Sequence, residues 1–301
     1  GTASRTEVVA ARVVRGSQAA RVERLLAEVA KVVAALLGGN QALAQLYGVG
    51  NITGGRLPLV LVPTTAGTGS EVGRASVITN SQTAEKKIIF HPKLLPSVVI
   101  CDPELTVGMP KFITAGTGMD AFAHSLEAYC SPHYHPMSQG IALEGMRLVK
   151  EYLPRAYADG TDIEARAQMM SAATMGATAF QKGLGAIHAL SHPIGAMYHT
   201  HHGTTNAICM PAVLQFNRPA ITDLIVHAAD YLGIAGGFDG FCDYVDTLNA
   251  SLGIPRKLSG LGVENPDIDR IVAGALLDPS TGGNPVEMTK ENTTKLLLEI
   301  V

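Results

Sequence analysis

The sequence predicts an α/β unit over residues 1–107 followed by an all-helical unit over residues 108–301. Three observations lead to this division. Strand-like and helix-like segments alternate through the first third of the chain. A continuous apolar run there is followed directly by a loop of Gly and Thr. After Gly108-Met109-Pro110 nearly every apolar pattern has helical period.

Taken in order, Val8 to Val14 is short and β-branched, the pattern of a strand. Ala19 to Leu37 places Val22, Leu25, Leu26, Val29, Val32, Val33 and Leu36 at helical spacing, and Gly38-Gly39-Asn40 supplies the stop. Leu57 to Pro63 is apolar throughout, which fits a strand covered on both faces. Ala75 to Thr79 and Lys87 to Phe90 form a hairpin pattern, and Ser97 to Cys101 reads as a further buried strand. In the second unit Ala142, Met146, Val149 and Leu153 mark one helix, and Met169, Ala173, Gly176 and Phe180 mark another with small residues on its contact face. Asp223 to Leu232, Phe241 to Leu252 and Lys290 to Val301 complete the series, the last with Thr289 as its N-cap.

Composition narrows the function classes. The 301 residues are 47% hydrophobic and 16% charged, enough apolar material for a sizeable core. A net charge of -3 gives no basic footprint for nucleic acid and no polybasic patch for anionic lipid. Trp is absent, which argues against base-stacking platforms. No apolar run reaches the roughly 18 residues of a membrane helix, and the first residues mix Arg and Glu without a signal-peptide core. Cys101, Cys130, Cys209 and Cys242 lie far apart, so they read as reduced, mostly buried thiols of a cytoplasmic protein. What is left is an enzyme or a small-molecule binder.

Two His-containing pairs carry the metal chemistry. Asp120 and His124 are four residues apart, a spacing that stacks both side chains on one helix face. His188 and His192 repeat the spacing, with Pro193 expected to break or kink their helix. His202 follows in His-His-Gly-Thr-Thr-Asn. One carboxylate with imidazoles on facing helices suits a divalent first-row ion, zinc or ferrous iron. The bland reading of each His alone is a packed core residue, and it is the one given to His91 and His227. His133 and His135 read as surface loop, and His199 and His201 take the packed reading too, with a place beside the site as the alternative. The loop Pro63-Thr64-Thr65-Ala66-Gly67-Thr68-Gly69-Ser70-Glu71 lies at the carboxyl end of the buried strand, where backbone N–H groups and hydroxyls can approach a phosphate, ribose or carboxamide. It is neither a GxGxxG fingerprint nor a Walker loop.

These stretches resemble the iron-containing (group III) alcohol dehydrogenase family. Leu-Pro-Leu-Val-Leu-Val-Pro-Thr-Thr-Ala-Gly-Thr-Gly-Ser-Glu-Val is similar to its signature loop, Gly118 to His124 with Glu127-Ala128-Tyr129 to its first ligand helix, and Gly185 to Gly203 with Asn206 to its second ligand segment. Asp278-Pro279 and Asn284-Pro285 resemble its C-terminal part, and the likeness runs from about Val29 to the end. The resemblance implies a Rossmann-like dinucleotide-binding domain, here incomplete, joined to an all-helical metal-binding domain as in dehydroquinate synthase, with the site in the cleft between them. It implies Asp120, His124, His188 and His202 as ligands of Fe2+ or Zn2+, and His192 as proton relay or substrate contact. Thr64, Thr65, Gly67, Thr68, Gly69 and Ser70, with Lys87 or its neighbour Lys86, would line an NAD or NADP cofactor. A small alcohol or aldehyde substrate and a homodimer or larger homo-oligomer follow from the same likeness. One departure stands out. The family's Gly-Gly-Gly-Ser-x-x-Asp turn, which cradles the pyrophosphate, is absent: Leu25-Leu26-Ala27-Glu28 precedes Val29-Ala30-Lys31, and only 62 residues precede the Pro-Thr-Thr loop, so either an internal stretch is absent from this sequence, the reading the intact metal and cofactor motifs favour, or the cradle is lost. Beside hydride transfer, the residues leave open a non-redox enzyme resembling dehydroquinate synthase, a metal-dependent hydrolase, and a non-catalytic remnant without the cradle.

Overall fold

A computed structural model describes residues 9–10, 19–79 and 86–301, which divide into two compact units. The first takes in residues up to 65 together with 69–106. The second takes in 66–68 and 107–301.

The first unit is built on two small sheets. β1 (Val9–Ala10), β3 (Leu59–Leu61) and β6 (Val98–Val99) form a parallel sheet in the order β1-β3-β6. The remainder of the Val8 to Val14 strand expectation lies outside the described residues. β2 (Gly48–Val49), β5 (Lys86–Phe90) and β4 (Ala75–Thr79) form the second sheet, with β4 and β5 antiparallel as the hairpin pattern predicts. α1 (Ala19–Gly38) and the one-turn α2 (Leu43–Leu46) accompany them. Leu59 and Leu61 are buried beside Ala30 and Ala34 of α1, in keeping with the apolar run. The Ser97 to Cys101 expectation needs correction: Val98 and Ile100 are about half exposed, because β6 is paired only to β3 and forms the edge of the described sheet.

The second unit is helical: α3 (Lys111–Cys130), α4 (Pro136–Ala158), α5 (Ile163–Ala179), α6 (Ala186–Tyr198), α7 (His202–Leu232), α8 (Gly237–Ser251), α9 (Ile268–Leu276) and α10 (Lys290–Leu298). α3 is buried on all sides from Ile113 to Cys130. A helix with no solvent face lies inside its bundle, so polar side chains on α3 face other protein groups. Ala142, Met146, Val149 and Leu153 line the buried side of α4, and Thr289 caps α10 in a reciprocal box with Asn292. Two expectations shift. Asp223 to Leu232 is the end of the 31-residue α7 rather than a separate helix. Pro193 does not end α6, which runs on to Tyr198. Its missing N–H forfeits one bond, and burial of the residues from Ala186 to Ser191 and of Ile194 offsets that loss. No helix among the described residues is long and apolar enough to cross a membrane. All four cysteines are free thiols, but only Cys130 and Cys209 are buried; Cys101 is exposed and Cys242 half-buried.

Glycine sets the closest helix approach in this unit. A Cβ on Gly203 of α7 would fall 1.9 Å from the Gly116 carbonyl oxygen of α3, and 3.0 Å from the Asp120 Cβ. This contact lets α7 lie directly on the Asp120 turn. Gly203→Ala forces the helices apart at a packed backbone. The expected loss is about 2–3 kcal/mol, a fall in Tm of roughly 5–10 °C by thermal melting. An unchanged Tm would show that the approach is looser than this.

Candidate metal centre

α3 carries Asp120, His124 and Glu127, which the helical repeat places on one face. α6 carries His188 and His192, and His202 opens α7. The fold closes these three elements on a single point. Asp120 Oδ1 lies 3.8 Å from His124 Nε2, 3.7 Å from His188 Nε2 and 3.4 Å from His202 Nε2. Donor atoms of Asp120, His188 and His202 all lie within 4.8 Å of one another. A tetrahedral ion with bonds of about 2.1 Å separates its donors by about 3.4 Å, so the three Asp120–imidazole distances fit a first-row divalent ion, while His124 lies outside the mutually close group of Asp120, His188 and His202. The donor set, one carboxylate and imidazoles without thiolate, is that of iron or zinc.

The surroundings concentrate polarity on the same point. Asn206, one turn beyond His202, donates from Nδ2 to Asp120 Oδ1 at 2.8 Å, and that nitrogen is 3.2 Å from His188 Nε2 and 3.3 Å from His202 Nε2. The amide nitrogen thus lies within 3.3 Å of one donor atom from each of Asp120, His188 and His202. Thr68 Oγ1 donates to the other Asp120 oxygen at 3.4 Å. Burial would raise the Asp120 carboxyl pKa, but His124, His202 and His188 around it hold it well below the carboxylate range. Burial would lower the His188 imidazole, yet Glu127 and Asp120 override it and push it up to about 9. His188 and His124 rings stack at 4.7 Å.

His192 stands beside this group. Its ring stacks on His202 at 5.4 Å, and its Nδ1 is 2.8 Å from Asp278 Oδ2. Asp278 is largely buried; burial raises its pKa, but the His192 contact brings the carboxyl below its usual value. Asp278 and Asn284 come from one turn-rich segment that holds α6 at its first residue and at its middle. Asn284 Oδ1 accepts from the Ala186 N–H at 3.0 Å, while Asp278 holds His192 one turn past His188.

These shifts set the pH dependence of the metal-free protein. The raised His188 pKa contributes stability that is complete below about 6.5 and lost as pH rises through about 9. The lowered Asp120 and Asp278 values contribute stability present above about 3.8 and lost as pH falls through them. In chelator, Tm is therefore expected to be highest between about pH 4 and 6.5 and to decline towards pH 9; a flat profile over that upper range would contradict the assignment.

Other predicted positions are distributed as follows. Gly67 and Thr68 belong to the helical unit; a Cβ on Gly67 would meet Thr117 of α3 at 2.8 Å, so residues 66–68 run tight against the Asp120 helix. Thr64, Thr65, Gly69, Ser70 and Lys87 belong to the first unit. Gly69 is left-handed at φ 61° and opens a short 3-10 turn over Ser70–Val72, and Lys87 lies on β5 paired with Ile78. The Lys86 side chain lies outside the described residues. His201 caps α7, accepting from the Thr204 N–H, and His135 caps α4 in the same way, a structural role for a residue read only as loop. His199 ends α6 in a left-handed conformation. Sequence reasoning quoted Glu127, Asn206, Asp278 and Asn284 without giving them roles. The available signals were helical repeats: Glu127 is seven residues beyond Asp120, and Asn206 four beyond His202.

Comparison with known proteins agrees with the geometry. Residues 114–301 match the model of the Fe-containing alcohol dehydrogenase family, C-terminal, and residues 26–103 match that of iron-containing alcohol dehydrogenase. The chain is 42% identical over 260 residues to 4-hydroxybutyrate dehydrogenase of Cupriavidus necator, covering 83% of this chain and 67% of that protein. It is 35% identical over 278 residues to NAD-dependent methanol dehydrogenase of Bacillus methanolicus, covering 90% and 73%. The crystal structure of 1,3-propanediol oxidoreductase superposes with a TM-score of 0.88 at 32% identity, over 92% of this chain and 74% of that one. That of sulfoacetaldehyde reductase from Bifidobacterium kashiwanohense, in complex with NAD+, does so with 0.84 at 30% identity over the same shares. The chain belongs to the iron-containing alcohol dehydrogenase family.

Proposed function

We propose that the protein is a metal-dependent oxidoreductase that moves a hydride between a short alcohol or aldehyde and NAD, with Asp120, His124, His188 and His202 as the metal ligands. The convergence of the Asp120, His188 and His202 donors beside the His192–Asp278 pair carries the reading, with His124 added from its place next to Asp120 on α3. When bound, iron or zinc supplies Lewis-acid polarisation of the substrate oxygen, and the nicotinamide supplies the hydride chemistry. The chain's own residues do the rest. Asp278 accepts a hydrogen bond from His192 Nδ1–H, which leaves Nε2 as the basic nitrogen. The His192 side chain is 26% exposed, so a proton taken from the substrate hydroxyl at Nε2 can pass on to solvent. Thr68 and Asn206 tie down both oxygens of Asp120 and hold the carboxylate in one orientation.

Thr64, Thr65, Gly67, Thr68, Gly69, Ser70 and Lys87 are assigned to the cofactor. Glycines and hydroxyls allow close approach of a carboxamide, ribose or phosphate. NAD is preferred to NADP, and a short primary alcohol to other substrates, because the methanol and 4-hydroxybutyrate enzymes are relatives. Cytoplasmic location and a homodimeric or larger assembly complete the reading. A true loss of the Gly-Gly-Gly-Ser turn would weaken dinucleotide binding and support a second reading, a metal-binding protein without turnover, whereas the intact metal and cofactor motifs favour the first. The test is NADH oxidation with a short aldehyde by Fe2+- or Zn2+-loaded protein. Steady oxidation is expected, with an elevated KM for NADH. Absence of turnover at saturating NADH would overturn the first reading in favour of the second.

A further inference from the structure

We propose that Glu127 is a positioning residue of the metal centre: it fixes the tautomer and ring orientation of His188 and anchors the first turn of α6. The inference rests on the ligand reading above. Glu127 is on α3, the helix of Asp120 and His124, and is only 6% exposed. Its Oε2 is 2.5 Å from His188 Nδ1. Its Oε1 accepts from the backbone N–H of Ile187 at 2.7 Å and, more weakly, of His188 at 3.4 Å. Asn284 Oδ1 takes the Ala186 N–H, so buried side chains satisfy the open donors at the start of α6. The space for this is made by Gly185, where a Cβ would stand 2.8 Å from Asn284 Oδ1 and 3.2 Å from Glu127 Oε1.

The chemistry follows from the count of acceptors. An ionised carboxylate has no hydrogen, so all its bonds here are accepted ones. His188 Nδ1 must then carry the proton, and Nε2 presents its lone pair to the point shared with Asp120 and His202. A helix N-terminus also favours the negative charge of Glu127. Glutamine has the same shape but one acceptor and one donor. It cannot serve both the Nδ1 proton and the Ile187 N–H. Either two donors face each other, or His188 reverses its tautomer and turns a proton into the metal centre.

The test measures Zn2+ affinity of the whole chain by chelator competition. Glu127→Gln is expected to bind Zn2+ about 10–100-fold more weakly than wild type. Asn284→Ala removes a cap of the same helix but leaves His188 Nδ1 alone, and its affinity is expected within about threefold of wild type. In Zn2+-loaded, 15N-labelled wild type, His188 should show the metal on Nε2 and a slowly exchanging proton on Nδ1. This arm needs no variant to fold. Wild-type affinity in Glu127→Gln, an equal loss in Asn284→Ala, or a Zn2+-loaded ring with metal on Nδ1 would each overturn the role of Glu127 while leaving the ligand reading standing. Failure of wild type to bind Zn2+ would overturn both.

Discussion

Asp120→Ala is expected to leave the protein without stoichiometric metal and to lower NADH-linked aldehyde reduction by about 10³-fold or more, the several kcal/mol that a Lewis acid supplies. Asp120 is the anionic donor of the group it forms with His188 and His202, and it sits 3.4–3.8 Å from the Nε2 atoms of His124, His188 and His202. Its removal leaves like-charged imidazoles facing one another when protonated, and takes away the partner of Asn206 and Thr68. Asp120→Asn separates charge from shape, since it keeps the volume and loses the negative charge. Metal analysis and steady-state rates on both variants check this. Full metal content in either one would remove Asp120 from the ligand set.

The second large effect belongs to His192. His192→Ala is expected to slow turnover by about 10²–10⁴-fold near neutral pH, the usual worth of a positioned general acid–base group, without loss of metal. It should also remove one limb of the pH–rate profile. Asp278→Asn tests the partner. Its amide can no longer accept at both oxygens, so the tautomer that leaves Nε2 basic is no longer enforced. The rate should fall with metal content and KM little changed. A wild-type pH profile in His192→Ala would end the relay assignment.

Much of this centre was legible in the sequence because helical periodicity is a local property. Asp120 with His124, and His188 with His192, announce their shared faces at four-residue spacing. The hairpin of β4 and β5 and the cap at Thr289 were local in the same sense. The supporting contacts were not. Glu127 reaches His188 across 61 positions, and Asp278 reaches His192 across 86, so neither pairing leaves a trace in spacing. The close approach of Gly116 and Gly203 likewise depends on how α3 and α7 cross. β6 was misjudged because β-branched residues fit an edge strand as well as a buried one, and pairing decides which it is. Pro193 left a break and a kink both open, and the helix runs through it to Tyr198, since a tertiary environment can carry a helix through a missing N–H.

The most direct test titrates metal-free protein with Fe2+ under anaerobic conditions while NADH oxidation by a short aldehyde is followed. The account predicts no turnover without the ion and a linear rise that saturates at one ion per chain. Full turnover in metal-free protein, or saturation of activity without a stoichiometric ion, would contradict it.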